Sequence, residues 1–321
     1  MTRYLRKRIL TGILVILVSL IINFLLIHLA PGNPISLLAG KDNPSQEMID
    51  TLTKKYGLDK PIYIQFISYI KTLLKGDLGY SIMSNEPVGK LILERVGPTL
   101  LLALTSIILA LIIGTALGIF AARKRGSKFD IVMNGLSYLF DSTPNFWLGL
   151  MLILIFSSKL KIFPTAGMVD LRAQSEGMAK FIDVLWHLAL PLATVTLIQI
   201  PYYFRIARSS VIQTMSEDFI TTFRAAGMKE NRIFNKYVFK NAILPTVTVF
   251  GINLAYVISG VAIIEIVFAW PGMGRLMMTA ISKRDYPLLM GIYLMLSVSI
   301  AVCMIVVDVV YALIDPRIRY D

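Results

Sequence analysis

Three acidic side chains lie inside long apolar stretches of the sequence, where an ionisable group is costly and therefore informative. They are Asp141, Glu265 and Asp308. A charge in the hydrocarbon of a membrane costs about 2.5–3.5 kcal/mol, so such residues are candidates for binding solutes or protons. Asp141 is followed by Pro144, which lacks a backbone donor and should kink a helix there. Two interpretations of Asp141 stay open: it faces a polar translocation path, or it caps a broken helix.

The other polar candidates have structural interpretations beside the functional ones. Glu265 lies about one turn from the outer end of its stretch, and we favour a structural pair with Arg275 over a proton site. For Asp308, near the inner end of the last stretch, we favour a contact with a neighbouring helix end or with Arg205. Asn253 could mark a moving, cavity-lining bundle. The candidate pathway or gate residues are therefore Asp141, Pro144, Asn253 and Glu265.

Neither catalysis nor tight metal binding is indicated. The segment Pro271-Gly272-Met273-Gly274 is not followed by Lys and Ser or Thr, so it is not a phosphate-binding loop. His28 and His187 are isolated, which favours membrane-interface residues over metal ligands. The one cysteine, Cys303, falls inside an apolar stretch. We expect no catalytic residue, no bound metal or cofactor, and no nucleotide hydrolysis by this chain.

Composition places these residues in a helical membrane protein. The chain has 321 residues, of which 56% are hydrophobic, and its mean hydropathy is +0.69. Both values are typical of polytopic helical membrane proteins. The formal charge of +12 could indicate nucleic acid, but the basic residues stand at the ends of apolar stretches, which favours a topological role and predicts no nucleic-acid partner. Stretches long enough to span a bilayer of about 30 Å cover residues 9–30, 99–122, 131–158, 185–207, 242–269 and 288–314.

The distribution of Lys and Arg predicts the side of the membrane on which each loop lies. Basic residues precede the first stretch and fill the loops 123–128 and 209–241. Because short cytoplasmic loops are enriched in Lys and Arg, both termini should be cytoplasmic. The expected organisation is an N-terminal anchor helix over 1–30, an extracytoplasmic helical loop over 31–98, a core of five transmembrane helices over 99–314 and a cytoplasmic tail over 315–321. Within the outer loop, periodicity predicts helices over Gln46–Tyr56 and Ile62–Leu74.

The most distinctive segment is the basic loop between the fourth and fifth stretches. Apolar residues recur there at every fourth position and would give a helix one apolar stripe: Val211, Met215, Phe219 and Phe223. Positive side chains would cover the remaining surface: Arg224, Lys229, Arg232, Lys236 and Lys240. Gly227 can adopt a positive φ at little cost, so it can end one short helix and turn the chain into a second. A cytoplasmic helix-turn-helix of this kind predicts a soluble partner that docks on it.

Sequence blocks spread over nearly the whole chain point to one family. In order they are Arg3–Arg8, His28–Pro34, Tyr56–Pro61, Gly76–Ser81, Arg224–Gly227, Lys240–Pro245, Ser259–Leu276, Arg284–Pro287 and Ala312–Tyr320. Together they resemble the permease subunits of binding-protein-dependent ABC importers, in the oligopeptide, dipeptide and nickel branch, and the first of the two permeases more than the second. The chain departs from the wider superfamily at Thr221-Thr222-Phe223, where that superfamily has Glu-Ala-Ala. Asp141 is not a residue expected of the branch.

The resemblance implies an all-α, polytopic fold with six transmembrane helices, of the type I importer permease kind. Besides the lipid bilayer, the implied partners are a second six-span permease, two cytoplasmic ABC ATPases that bind ATP and Mg²⁺, and an extracytoplasmic substrate-binding protein. Each ATPase would grip one permease helix through the apolar stripe and Arg224, at Glu217, Asp218, Phe219, Thr222, Phe223, Arg224, Ala225, Ala226 and Gly227. The solute would be a peptide or a related small solute such as a nickel chelate. An ion-gradient-driven secondary transporter or channel subunit is the alternative, with Asp141 or Glu265 as its proton site.

Overall fold

The structure of this chain is a computed structural model that describes residues 2–29, 59–173, 176–255 and 261–314. Helices dominate the regular structure of these ranges. In chain order they are α1 Thr2–Leu29, α2 Ile62–Leu74, α3 Val88–Arg123, α4 Lys128–Ser142, α5 Asn145–Leu152, α6 Gly177–Met215, α7 Asp218–Ala225, α8 Glu230–Ile233, α9 Phe239–Ala242, α10 Leu244–Ala255, α11 Ala262–Val267, α12 Met273–Lys283 and α13 Tyr286–Ile314. Two π-helical segments extend their neighbours, Ile153–Lys159 after α5 and Phe234–Val238 between α8 and α9.

Of the two helices predicted in the outer loop, one is confirmed. It is α2, which has the predicted bounds Ile62–Leu74 and is followed by Lys75 as its C-cap. The other predicted helix, Gln46–Tyr56, lies outside the described residues, as do the tail 315–321 and the side chain of Asp308.

Within the described residues, four helices are long and apolar enough to cross a membrane, and a bent pair raises the number to as many as five. The four are α1, α3, α6 and α13, and the bent pair is α4 with α5 and its π-helical extension. The fifth apolar stretch corresponds to α10 and α11, and residues 256–260 between them are not described. Six spans and cytoplasmic termini therefore stay predictions, whereas the mostly helical membrane architecture is confirmed.

The third apolar stretch is broken, where the sequence led us to expect one kinked span. α4 ends at Ser142, and the next residue, Thr143, is extended with φ −85° and ψ 127°. A residue before proline is pushed out of the helical region, and Pro144 has no N–H with which to continue the helix. The axes on the two sides of this break differ by 103°. The residues 131–158 consequently form two helices that meet at a sharp angle.

The described chain divides into two compact units, of which the larger contains residues 98–271. Its buried core is formed where α3, α6 and α11 meet, with Trp270 and its neighbours in the centre. Pro191 and Pro201 lie within α6, yet this helix runs without interruption for 39 residues. The unit therefore contains one long, continuous helix against which the shorter elements pack.

Two glycines bring the backbones of α3 and α6 into direct contact. A Cβ on Gly114 would lie 2.8 Å from the carbonyl oxygen of Ile200, and one on Gly118 would lie 2.5 Å from that of Phe204. Because any side chain at these positions would collide with backbone atoms, glycine is what permits this helix pair. Sequence reasoning did not single out either residue.

Of the described residues, the second unit contains 2–29, 59–97 and 272–306, and Asp285 is a polar centre of it. Its buried carboxylate accepts hydrogen bonds from the Ser81 hydroxyl and from the backbone N–H groups of Ile82, Met83 and Leu288. The loop before α3 is thereby fixed to the start of α13.

Candidate functional site

The basic loop predicted to receive a partner folds into short helices that follow α6 almost without a gap. Only Ser216 and Glu217 separate the end of α6 from the start of α7. Asp218 occupies the first turn of α7, where a carboxylate interacts favourably with the helix dipole. Because this connection is so short, a displacement of α7 must be accompanied by a displacement of the end of α6.

The turn predicted at Gly227 is confirmed. Gly227 has φ +74°, and its N–H donates to the carbonyl of Arg224 at 3.0 Å. The N–H of Met228 donates to the carbonyl of Phe223 at 3.1 Å, which closes the end of α7. A Cβ on Gly227 would have no atom within 4 Å, so glycine is required for its backbone conformation and not for space.

The apolar stripe of this loop faces the chain's own interior. Val211 and Ile220 are fully buried in a cluster with Ile233 and Val238, and Phe223 packs against it. Other members of the stripe that pack on the same cluster are Met215 and Phe219. The stripe was expected to contact a partner, but here it holds α7 against the chain itself. A partner that docks on this conformation must therefore use the other side of α7.

The exposed side of α7 is polar and small. The exposed residues of the helix and its caps are Glu217, Asp218, Thr221, Thr222, Arg224, Ala225 and Ala226. Arg224 is fixed across the Gly227 turn by Glu230, with 2.7 Å between Nε and Oε1. The hydrogen bond from Arg224 lowers the pKa of Glu230, and the same bond raises the pKa of Arg224. An exposed pair adds little stability, so its effect is to orient the guanidinium.

The second arm of the loop is attached to the end of α3. Arg123 donates from Nη2 to Oδ1 of Asn231 at 3.0 Å, and its guanidinium lies 4.4 Å from the centre of the Phe234 ring. The predicted basic surface is confirmed, since Arg224, Lys229, Arg232, Lys236 and Lys240 are all exposed. The loop is therefore in contact with two long helices, α6 through α7 and α3 through α8.

Asp141, whose role the sequence left open, pairs with an arginine of α6. Its Oδ2 lies 3.1 Å from Nη1 of Arg205, and both side chains remain partly exposed. Arg205 had been considered as a partner of Asp308, so this pairing was not foreseen. Pro144 forms the break that follows Asp141, immediately before α5. These two candidates therefore lie together at one point of the fold.

The remaining pathway candidates have other partners. Glu265 is fully buried on α11 and accepts a hydrogen bond of 2.6 Å from the Thr99 hydroxyl. This contact agrees with a structural role, and the predicted pair of Glu265 with Arg275 stays a prediction. Asn253 donates from Nδ2 to the hydroxyl of Tyr203 at 3.1 Å.

A second ion pair between α4 and α6 was missed by sequence reasoning. Nε and Nη2 of Arg208 donate to Oδ1 and Oδ2 of Asp130 at 2.6 and 2.8 Å. Ser127 caps α4 by accepting a hydrogen bond from the Asp130 N–H. The sequence does indicate a polar face on α4, because four polar residues recur at the spacing of one helix face: Asp130, Asn134, Ser137 and Asp141. Among the described residues, no group of three or more His, Cys, Asp or Glu side chains is arranged to hold a metal.

The apolar helices, with a basic helix-turn-helix between two of them, are those of a polytopic membrane protein. Residues 114–320 match the family described as binding-protein-dependent transport system inner membrane component, and residues 1–103 match the N-terminal part of such membrane components. The chain belongs to this family. It is a permease subunit of an ABC importer and a multi-pass protein of the cytoplasmic membrane.

Relatives cover the whole chain. It is 36% identical over 321 residues, 100% of both chains, to the oligopeptide transport system permease protein AppB of Bacillus subtilis. It is 37% identical over 329 residues to the probable D,D-dipeptide transport system permease protein DdpB of Escherichia coli, covering 98% of this chain and 96% of that one. Among solved structures, an inward-facing MetNI methionine ABC transporter matches 70% of this chain and 96% of its own, with a TM-score of 0.56 and 16% identity. At this low identity, the match to the MetNI structure shows a similar fold and nothing about the solute.

Proposed function

We propose that this chain is one of two permeases of an ATP-driven importer for peptides. The observation that carries the proposal is the full-length match, 36% identical, to a Bacillus subtilis protein named as an oligopeptide permease. The relative from Escherichia coli is named for D,D-dipeptides, which supports the same class of solute. Nickel chelates, the other solute implied by the resemblance, are not named for these relatives.

In this proposal the chain works in an assembly. A second six-span permease completes the translocation pathway, an extracytoplasmic binding protein delivers the solute, and two cytoplasmic ATPases bind ATP and Mg²⁺ and perform the hydrolysis. The chain has no ATPase site of its own, which is consistent with the lack of a Lys-Ser/Thr pair after Gly274.

The ATPase docks on the exposed side of α7. The contact residues are those that the structure leaves uncovered, with Thr222 near the centre and Glu217, Asp218, Ala225 and Ala226 around it. Phe219 and Phe223 act from the other side by holding α7 on the chain's own apolar cluster. Arg224 is oriented for the partner by Glu230, and Gly227 lets the second arm follow the first.

Movement passes from α7 into two long helices. When ATP closes the ATPase dimer, α7 is displaced, and α6 follows because only Ser216 and Glu217 lie between them. The end of α3 follows through its contacts with Asn231 and Phe234. The pathway then alternates between inward-open and outward-open states, and the binding and hydrolysis of ATP supply the free-energy difference between these states.

Uptake by the reconstituted importer tests this proposal. Proteoliposomes that contain both permeases, the ATPases and the binding protein should import a labelled short peptide only with ATP. Vanadate should abolish uptake, an uncoupler should leave it unchanged, and omission of the binding protein should reduce it. Uptake that is sensitive to the uncoupler and indifferent to vanadate would instead establish an ion-gradient-driven carrier, with Asp141 or Glu265 as its proton site.

A further inference from the structure

α4 presents a continuous polar face to α6. The residues of this face recur at intervals of four, three and four positions, which places them on one side of a helix: Asp130, Asn134, Ser137 and Asp141. Opposite them, α6 carries Arg205 and Arg208, one turn apart. Each arginine is bonded to one of the two aspartates, so the contact is neutral as a whole.

The two ion pairs of this contact differ in their surroundings. The Asp130–Arg208 pair is closed: its side chains are 5% and 24% exposed, and Asp130 also accepts hydrogen bonds from Asn134 and from the Gly126 N–H. The Asp141–Arg205 pair is open, with side chains 50% and 33% exposed. Along α4 the two aspartates are separated by about 16 Å at a rise of about 1.5 Å per residue. The Asp130–Arg208 pair is therefore part of the packing between the two helices, whereas the Asp141–Arg205 pair lies at a surface.

The open pair coincides with the break in the third apolar stretch. Asp141 lies in the last turn of α4, and the residues that follow it, Ser142, Pro144 and Asn145, are exposed. Lipid tolerates neither an exposed ion pair nor exposed irregular backbone, because neither group finds a polar partner there. Both features argue against lipid contact at the ion pair and the break, which leaves water or a second permease as the neighbour of this face.

We propose that Asp141 and Arg205 form a charged subsite on the solute path, where a zwitterionic solute transfers its carboxylate to Arg205 and its ammonium to Asp141. This inference rests on the proposed permease function and names residues and a ligand chemistry for it. A solute with one charge can pair with only one member of this ion pair, and it would leave the other member without its counter-charge. A zwitterion, such as a short peptide with free termini, replaces both partners at once.

A thiol at the break tests the subsite while the pair stays intact. Ser142→Cys is placed in a Cys303→Ser background in the assembled importer in nanodiscs, and its reaction with charged methanethiosulfonates is timed. Leu136→Cys is the matched control, because Leu136 is exposed and points about 120° away from Ser142 around the same helix. We expect rapid labelling of Ser142→Cys and far slower labelling of Leu136→Cys. Equal, slow rates at both positions would overturn the subsite.

The charge of the pair should be measurable with the same thiol. With both residues present, the sulfonate and trimethylammonium reagents should react at similar rates. Arg205→Gln leaves Asp141 alone and should raise the rate of the cationic reagent relative to that of the anionic reagent by about tenfold. Asp141→Asn should change the same ratio by about tenfold in the opposite direction. Both values follow from the Coulomb energy of unit charges about 6 Å apart in water. An unchanged ratio in both variants would contradict the proposal.

The ligand chemistry is tested by protection. Millimolar trialanine should slow the labelling of Ser142→Cys severalfold, and N-acetyl-trialanine amide, which has the same side chains and no charge, should not. Arg205→Gln should abolish the protection. Equal protection by both compounds, or protection that survives Arg205→Gln, would refute the zwitterion subsite. Labelling requires no transport, so a negative result here would refute the subsite and leave the importer assignment intact. The importer assignment itself is tested by the ATP-driven uptake assay described above.

Discussion

Gly227 provides the sharpest single-residue perturbation of the proposed coupling. Its φ of +74° is a conformation that residues with a Cβ rarely adopt, and no atom lies within 4 Å of the position that a Cβ would occupy. The cost of a substitution therefore comes from the backbone alone, at about 1–3 kcal/mol for a residue strained in this region. Gly227→Val, which is β-branched, should lie at the upper end of that range.

The strain should separate hydrolysis from transport. If the turn relaxes, α7 still displaces α6 but no longer displaces α8 and the end of α3, so an ATPase that grips α7 would hydrolyse ATP while only part of the pathway is reoriented. Each increment of about 1.4 kcal/mol of strain corresponds to a factor of about ten in the population of the native turn, so the upper end of the range corresponds to a factor of about 100. We expect Gly227→Val to insert normally and to raise the number of ATP molecules hydrolysed per imported solute by at least about tenfold. The ratio is measured in proteoliposomes that contain equal amounts of the two importers.

Gly227→Asn is the matched control for this prediction. Asparagine tolerates the left-handed region better than other residues with a side chain, so it should keep a ratio close to that of the unmodified protein. If Gly227→Val transports with normal coupling, or if Gly227→Asn is as uncoupled as Gly227→Val, the proposed role of the turn is refuted.

Two further predictions concern the packing of α3 and α4 on α6, and both are measured by thermal unfolding in detergent. Gly118→Ala would place its Cβ 2.5 Å from the Phe204 carbonyl oxygen, and we expect a loss of about 1–3 kcal/mol from overpacking. Gly135→Ala, within α4 and with open space around it, should be neutral or up to about 1 kcal/mol stabilising. Asp130→Ala leaves the Arg208 guanidinium unpaired in a mostly buried site and should cost about 3–5 kcal/mol. Asp141→Ala removes a half-exposed partner and should cost about 0–1 kcal/mol. Equal losses within either pair of variants would contradict the burial on which these values depend.

The local features of the chain could be predicted from its sequence because they depend on neighbouring residues. Periodicity and the following Lys75 and Gly76 are sufficient for the bounds of α2. The positive φ of Gly227 follows from the glycine between two amphipathic segments. The basic surface of the loop likewise follows from the positions of its lysines and arginines.

What depends on distant residues could not be predicted. The stripe of Phe219 and Phe223 shows which side of α7 is apolar, but the residues that cover it, Ile233 and Val238, fold back only through the turn. The partner of Asp141 is 64 residues away at Arg205, and the sequence offers no rule that selects it over other arginines. The proline near Asp141 predicts an interruption, but the angle of 103° depends on how α5 packs.

Pathway residues are harder to predict than the docking segment for a similar reason. The sequence allowed Glu265 to be a gate or a structural residue and favoured the structural role, and its complete burial beside the Thr99 hydroxyl supports that role. The polar face of α4 was visible as a spacing of Asp130, Asn134, Ser137 and Asp141. Its role depends on Arg205 and Arg208, which lie 64 and 78 residues from their partners in the sequence.

The docking of an ATPase on the exposed side of α7 is the central claim, and site-directed cross-linking tests it most directly. With Cys303 replaced by serine, Thr222→Cys should form a cross-link to an ATPase subunit in the assembled importer, and the yield should change when ATP is added. Ile220→Cys, on the buried side of the same helix, should form none. Cross-links from Ile220→Cys but not from Thr222→Cys, or none from any exposed position between Glu217 and Ala226, would contradict the account.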